Sequence, residues 1–337
     1  MSDNRLLPTP ALPAGGEGEQ ALASAYRMLA SLWLKEVTPA ELPVLRASGL
    51  LPPGQDGSEI DLIKLAAEYQ RLFGFNLPPY ESLFIDPSGM LDAPATARLQ
   101  AAYRLAGWSP PPGARAAAGD HLGLVMLAYS SLDPGSPAAQ RLLHEHLALW
   151  GPVACLSLQR IAPHPLYRQV AELTLELLLE SLAAWPPPAG QDPFPTLPPP
   201  PVYRGSLPED PFAPPEDELS GETPLPGPGL GALVQRLLTA RAAGMYLTRH
   251  DLGQIGLALQ LPGVVGERRH LLRTLFLLAG QYELAPALVA ELQRWLTAAR
   301  QSYAALAAAC PAWQVYAEAW SQPVDETYTL LAQDMES

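Results

Sequence analysis

The chain has 337 residues, 48% of them apolar, ample material for a sizeable core in one large or two modest domains. A formal net charge of −13 argues against binding nucleic acid or an anionic membrane through a broad basic field, and favours a cationic ligand. Leu and Ala dominate, aromatic residues make up only 7%, and Val, Ile and Thr never gather into alternating runs, so the apolar content reads as helix.

Residues 1–19, rich in Pro, Gly and acid, offer nothing to bury and are expected to form a disordered tail. From Gln20 the pattern changes. Leu22, Tyr26, Leu29, Ala30, Trp33 and Leu34 recur at spacings of three and four, which predicts an amphipathic helix ending before Thr38-Pro39. Thr38 is placed to cap a short second helix, with Pro39 at its first position. A third helix is predicted over about 58–73, stopped by Gly74. Pro78-Pro79 then hold Tyr80 to Phe84 on a loop or short turn whose side chains project outward.

Helices follow over 95–106, ended by Gly107, and from about His121 through Leu132, with Asp120 as the expected N-cap. Residues 137–160 read as one helix or a pair bent around Gly151-Pro152, and 164–185 as the last helix of this domain. Between Pro186 and Pro228, 16 of 43 residues are proline, so 186–228 is a spacer between domains. From Gly229 the helical pattern resumes over about 230–244, 248–260, 266–280, 284–308 and 312–333. Thr248 to Asp251 caps the second of these. Leu271, Leu272, Leu275, Phe276 and Leu278, and the group Trp313, Tyr316 and Trp320, read as core.

Three stretches mix ionisable groups with aromatics beside proline or glycine: Pro79-Tyr80-Glu81-Ser82-Leu83-Phe84, Asp120-His121-Leu122-Gly123 and His164-Pro165-Leu166-Tyr167-Arg168. Such stretches suit a recognition surface. Two readings of the first stretch stand side by side: Tyr80 and Phe84 plug the core while Glu81 caps a helix, or an exposed Glu81 between them receives an arginine through carboxylate–guanidinium pairing and cation–π contact. Catalytic and metal readings are weaker. Asp120 beside His121 suits acid–base work, but such pairs more often cap a helix. His144 and His146, two apart on a helix, point in different directions and cannot chelate together. Cys155 and Cys310 form no disulfide framework or zinc spacing and are expected as buried free thiols. There is no phosphate-binding loop and no GxSxG elbow.

The order and spacing of these stretches, with Ala106-Gly107 and Glu145-His146-Leu147 to Trp150 between them, resemble the TorD/DmsD/NarJ family of redox-enzyme maturation chaperones over residues 20–185. Ala118-Gly119 replace the family's usual Glu-Pro before Asp120-His121. The resemblance implies an all-α helical-bundle chaperone domain (20–185), followed here by the Pro-rich linker (186–228) and an additional C-terminal helical segment (229–337). It also implies a non-enzymatic protein without a cofactor of its own, which binds the N-terminal leader, often twin-arginine, or the apo form of a molybdopterin oxidoreductase catalytic subunit before export. The peptide-binding residues expected are Tyr80, Glu81, Phe84, Asp120, His121, His164 and Tyr167. No secretory h-region or membrane span is visible, so a cytoplasmic location is expected, and a homodimer is compatible with the pattern. The rival reading is a helical scaffold that docks a folded partner.

Overall fold

A computed structural model of the chain describes residues 16–51, 61–112, 114, 116–190, 192–197 and 230–333. Among these residues the fold is all-α. The first half comprises α1 (Gly16–Leu34), α2 (Leu42–Ala47), α3 (Leu62–Tyr69), α4 (Glu81–Ile85), α5 (Pro94–Leu105), α6 (Leu122–Ser130), α7 (Pro137–Leu142), α8 (Ala148–Ile161) and α9 (Pro165–Ala184). The second half comprises α10 (Leu230–Leu238), α11 (Ala240–Ala243), α12 (Arg249–Ala258), α13 (Arg268–Gln281), α14 (Ala285–Ala309) and α15 (Gln314–Gln333). Among the described residues no helix is long and apolar enough to cross a membrane.

Several boundaries differ from the sequence expectation for physical reasons. Helix α1 starts at Gly16, inside the stretch expected to be disordered, while residues 1–15 lie outside the described residues. Thr38 does not cap α2. Its backbone N–H and hydroxyl both donate to the Glu41 carboxylate at 2.9 Å, and the helix opens only after Glu41. Gly74 does not stop α3, because the chain continues as a π-helical segment, Gln70–Asn76, which ends at Leu77. A second π-helical segment, Leu143–Leu147, joins α7 to α8. Both widen the helix locally and re-aim the side chains that follow, as such segments do near functional sites.

Helices α1, α6 and α9 pack side by side around Tyr26, Trp33, Tyr129 and Val170. Gly123 permits the closest approach, since a Cβ there would lie 2.7 Å from the Ala30 carbonyl oxygen. Across the bundle Trp33 donates to Thr174 at 3.0 Å, and the Tyr26 hydroxyl lies 2.8 Å from that of Ser181. The N-terminal part of α1 therefore meets the C-terminal end of α9, and its C-terminal part meets the start of α6.

One hydrophobic core runs through both halves of the chain. Tyr246 stacks on Phe84 with ring centroids 4.9 Å apart, and Arg160 grips Asp251 through two bonds of 2.9 and 2.7 Å. Helix α8 explains a further part of the docking. Pro152 lies inside it and lacks the N–H that would otherwise reach the Ala148 carbonyl four residues earlier. That buried acceptor is instead served by Trp313 Nε1–H at 2.9 Å. Trp320 Nε1–H donates likewise to Leu149 O, at 2.6 Å. Of the two sequence readings, one helix or a bent pair, the structure has α8 continuous through Pro152, with one of its backbone bonds transferred to the C-terminal half. Of the proline-rich stretch, residues 198–228 lie outside the described residues; before them Phe194 packs edge-on against Trp320, at 5.4 Å. Cys155 and Cys310 are buried free thiols, as expected.

Candidate functional site

The first two sequence stretches meet in one knot. Tyr80 and His121 form an isolated antiparallel bridge, in which Glu81 N–H donates to Asp120 O at 3.0 Å and Leu122 N–H to Pro79 O at 2.9 Å. Their rings meet edge to face, 4.9 Å apart. The Tyr80 hydroxyl accepts from Ala117 N–H at 2.9 Å, which ties in the loop before Asp120.

Asp120 was the expected cap of α6, but the structure corrects this by one residue. His121 is the N-cap, its Nδ1 accepting from Gly123 N–H at 3.1 Å. That role places the ring proton on Nε2. Burial drives the His121 pKa down to about 3, so the ring is neutral near pH 7. Asp120 turns to the neighbouring helix and accepts from Ser82 N–H at 2.8 Å, in the first turn of α4. A carboxylate there meets the exposed N–H groups of that turn. Burial raises the Asp120 pKa; hydrogen bonds from Ser82 oppose the rise and the Glu81 charge adds to it. The hydrogen bonds of Asp120 and His121 thus serve two different helix starts.

Glu81 is not the exposed acid of the second sequence reading: it is 0% exposed. Its carboxylate accepts from Arg98 Nη2 at 2.8 Å and from His146 Nδ1 at 2.8 and 3.0 Å. Arg98 also donates to the Glu145 carbonyl at 2.7 Å and side chain at 3.2 Å. Withdrawing a carboxylate from water costs several kcal/mol unless it is paired and hydrogen-bonded, and Arg98 and His146 meet that need. The second π-helical segment turns His146 inward to Glu81, while His144 points to the Trp185 carbonyl, 2.8 Å away. Sequence reading missed Arg98, because nothing local links residues 81 and 98. Phe84 is also corrected: it is buried between Trp150 and Tyr246, at 5.0 and 4.9 Å, and does not project outward.

The third stretch forms a separate cluster. His164 caps α9, its Nδ1 accepting from Leu166 N–H at 3.1 Å. Tyr167 is buried against Tyr69 and Phe73 and donates its hydroxyl to Leu65 O at 3.2 Å. Tyr69 links the clusters. Burial, with the nearby Tyr80 and Glu36 adding, raises its pKa. All three stretches therefore sit at one end of the α1/α6/α9 bundle, where Tyr80, His164 and Glu36 remain half-buried. Glu81 and Asp120 are both buried, so neither carboxylate reaches solvent at this end.

Among the described residues no three His, Cys, Asp or Glu side chains come together as a metal site. No curated protein matches the chain. Residues 20–155, less than half of the chain, match the nitrate reductase delta subunit family, a stretch that holds Tyr80, Glu81, Phe84, Asp120, His121 and His146 and ends before His164.

Proposed function

We propose that the protein is a non-enzymatic, cytoplasmic maturation chaperone that binds the N-terminal leader or apo form of a molybdopterin oxidoreductase catalytic subunit and assists cofactor insertion and assembly before export. The observation that carries this reading is the Tyr80–His121 bridge, which draws two recognition stretches together inside the segment that matches the nitrate reductase delta subunit family. Tyr80 and His164 are the members of the expected set that solvent reaches, and in this reading they touch the client. Glu81, Phe84, Asp120, His121 and Tyr167 position that end from within. The excess negative charge of the chain favours an arginine-bearing segment, with an affinity that falls as salt rises.

The test is calorimetric titration of the full chain with the leader-bearing apo catalytic subunit. Tyr80→Ala combined with His164→Asn, which retains a capping acceptor, is expected to weaken binding by about tenfold, or ~1.4 kcal/mol. Binding that the pair leaves unchanged contradicts this assignment. The alternative, a scaffold docking a folded partner, draws support from the second half of the chain being built into the same core. It predicts capture of the mature subunit and indifference to the leader.

A further inference from the structure

A cleft of about 310 Å³ opens at the other end of the α1/α6/α9 bundle from Tyr80, His121 and His164. The two ends are separated by the nine residues of α6, about 14 Å at the helical rise. Tyr26 and Tyr129 form the floor, their rings edge to face at 4.9 Å. The Tyr26 hydroxyl lies 2.8 Å from that of Ser181, which ties the floor to α9. Leu22, Leu132 and Pro134 supply apolar walls. Beside Pro134, the ring of Trp185 packs so tightly that a Cβ on Gly135 would lie 3.2 Å from it, and Trp185 is 37% exposed.

The rim is acidic. Glu19 and Asp133 line the cleft and are exposed. Glu180 on α9 lies close enough for its charge to raise the Tyr26 pKa, behind the larger effect of burial. Among the described residues Arg27 is the one cation on the lining, and it donates to Ser24 at 3.1 Å. An apolar slot with aromatic floor and acids at its mouth fits one or two aliphatic side chains flanked by arginine or lysine.

We infer that this cleft is a second polypeptide contact, which takes a basic segment of the client anchored by a leucine. The inference deepens the chaperone reading and rests on it for the source of the segment. Two contacts at opposite ends of one rigid bundle would bind a single client more tightly than either alone.

The probe is a short fluorescein-labelled peptide with adjacent arginines followed by leucines, titrated into the full chain and followed by anisotropy. Glu19→Lys combined with Asp133→Lys alters two exposed side chains and is expected to weaken the probe about tenfold, while the unaltered probe affinity falls with added salt. Ala23→Trp, which fills the slot without touching the acids, is expected to weaken it comparably. Probe binding that both variants leave unchanged overturns the inference and leaves the assignment of Tyr80 and His164 standing. Loss of probe binding in these variants, with no binding of the apo subunit by the unaltered chain, supports the cleft and removes the chaperone reading instead. Self-association of the chain that disappears in the charge-reversal variant assigns the cleft to a second copy and overturns the inference.

Discussion

Trp313→Phe isolates the contact by which the C-terminal half completes helix α8. The indole N–H donates to Ala148 O, a buried carbonyl whose intrahelical partner is missing because residue 152 is proline. Removing the donor leaves that acceptor unpaired, at a cost of about 1–3 kcal/mol. The smaller ring also loses packing in a fully buried site, about 1 kcal/mol more, for a total near 2–4 kcal/mol. Pro152→Ala restores an N–H four residues after Ala148. In that background Trp313→Phe keeps its packing cost and loses its hydrogen-bond cost. The double-mutant cycle, read from urea unfolding followed by far-UV circular dichroism, is therefore expected to give a coupling of about 1–3 kcal/mol. Equal costs of Trp313→Phe in the two backgrounds would refute the idea that the tryptophan substitutes for the missing backbone donor.

Other outcomes follow from the buried polar groups. Arg98→Met leaves Glu81 buried with His146 alone and is expected to destabilise the chain by about 3–5 kcal/mol in urea unfolding, more than the neutralising Glu81→Gln does. His121, neutral in the fold with a pKa near 3, takes up a proton on unfolding between its ordinary value of 6.5 and that point. Stability is thus fully present above pH 6.5 and falls by up to ~1.4 kcal/mol per pH unit below it. His121→Asn, which can still accept from Gly123, is expected to flatten that slope in acid titrations of stability. Asp120 has the opposite sign, since its raised pKa favours the fold when protonated and costs stability as pH climbs through it. Asp120→Asn should therefore gain on the unaltered chain from acid to neutral pH, and a constant difference across that range would contradict the assigned burial.

The helices themselves were legible because their signal is local. Tyr26, Leu29, Ala30 and Trp33 recur with the helical period and are all buried, and Thr248 with Asp251 forms the expected capping box. The illegible parts depend on contacts distant in sequence. Asp120 has a capping residue's chemistry, but which helix it caps depends on where the bridge to Tyr80 turns its side chain. Glu81 reads as a helix cap or as an available acid until Arg98 and His146 are placed against it from two other elements. Pro152 reads equally as part of one helix or as a bend, since no local rule states that a tryptophan from the opposite half will serve the carbonyl it strands. The π-helical passage through Gly74 is likewise invisible to a pattern that treats glycine as a stop.

The most direct test of the proposed function is calorimetric titration of the purified full chain with a molybdopterin oxidoreductase catalytic subunit, in its cofactor-free form with the leader present and in its mature form. The account expects binding of the cofactor-free, leader-bearing form, weakened by added salt and by Tyr80→Ala with His164→Asn, and little binding of the mature form. Equal binding of both forms, or no binding of either, would contradict it.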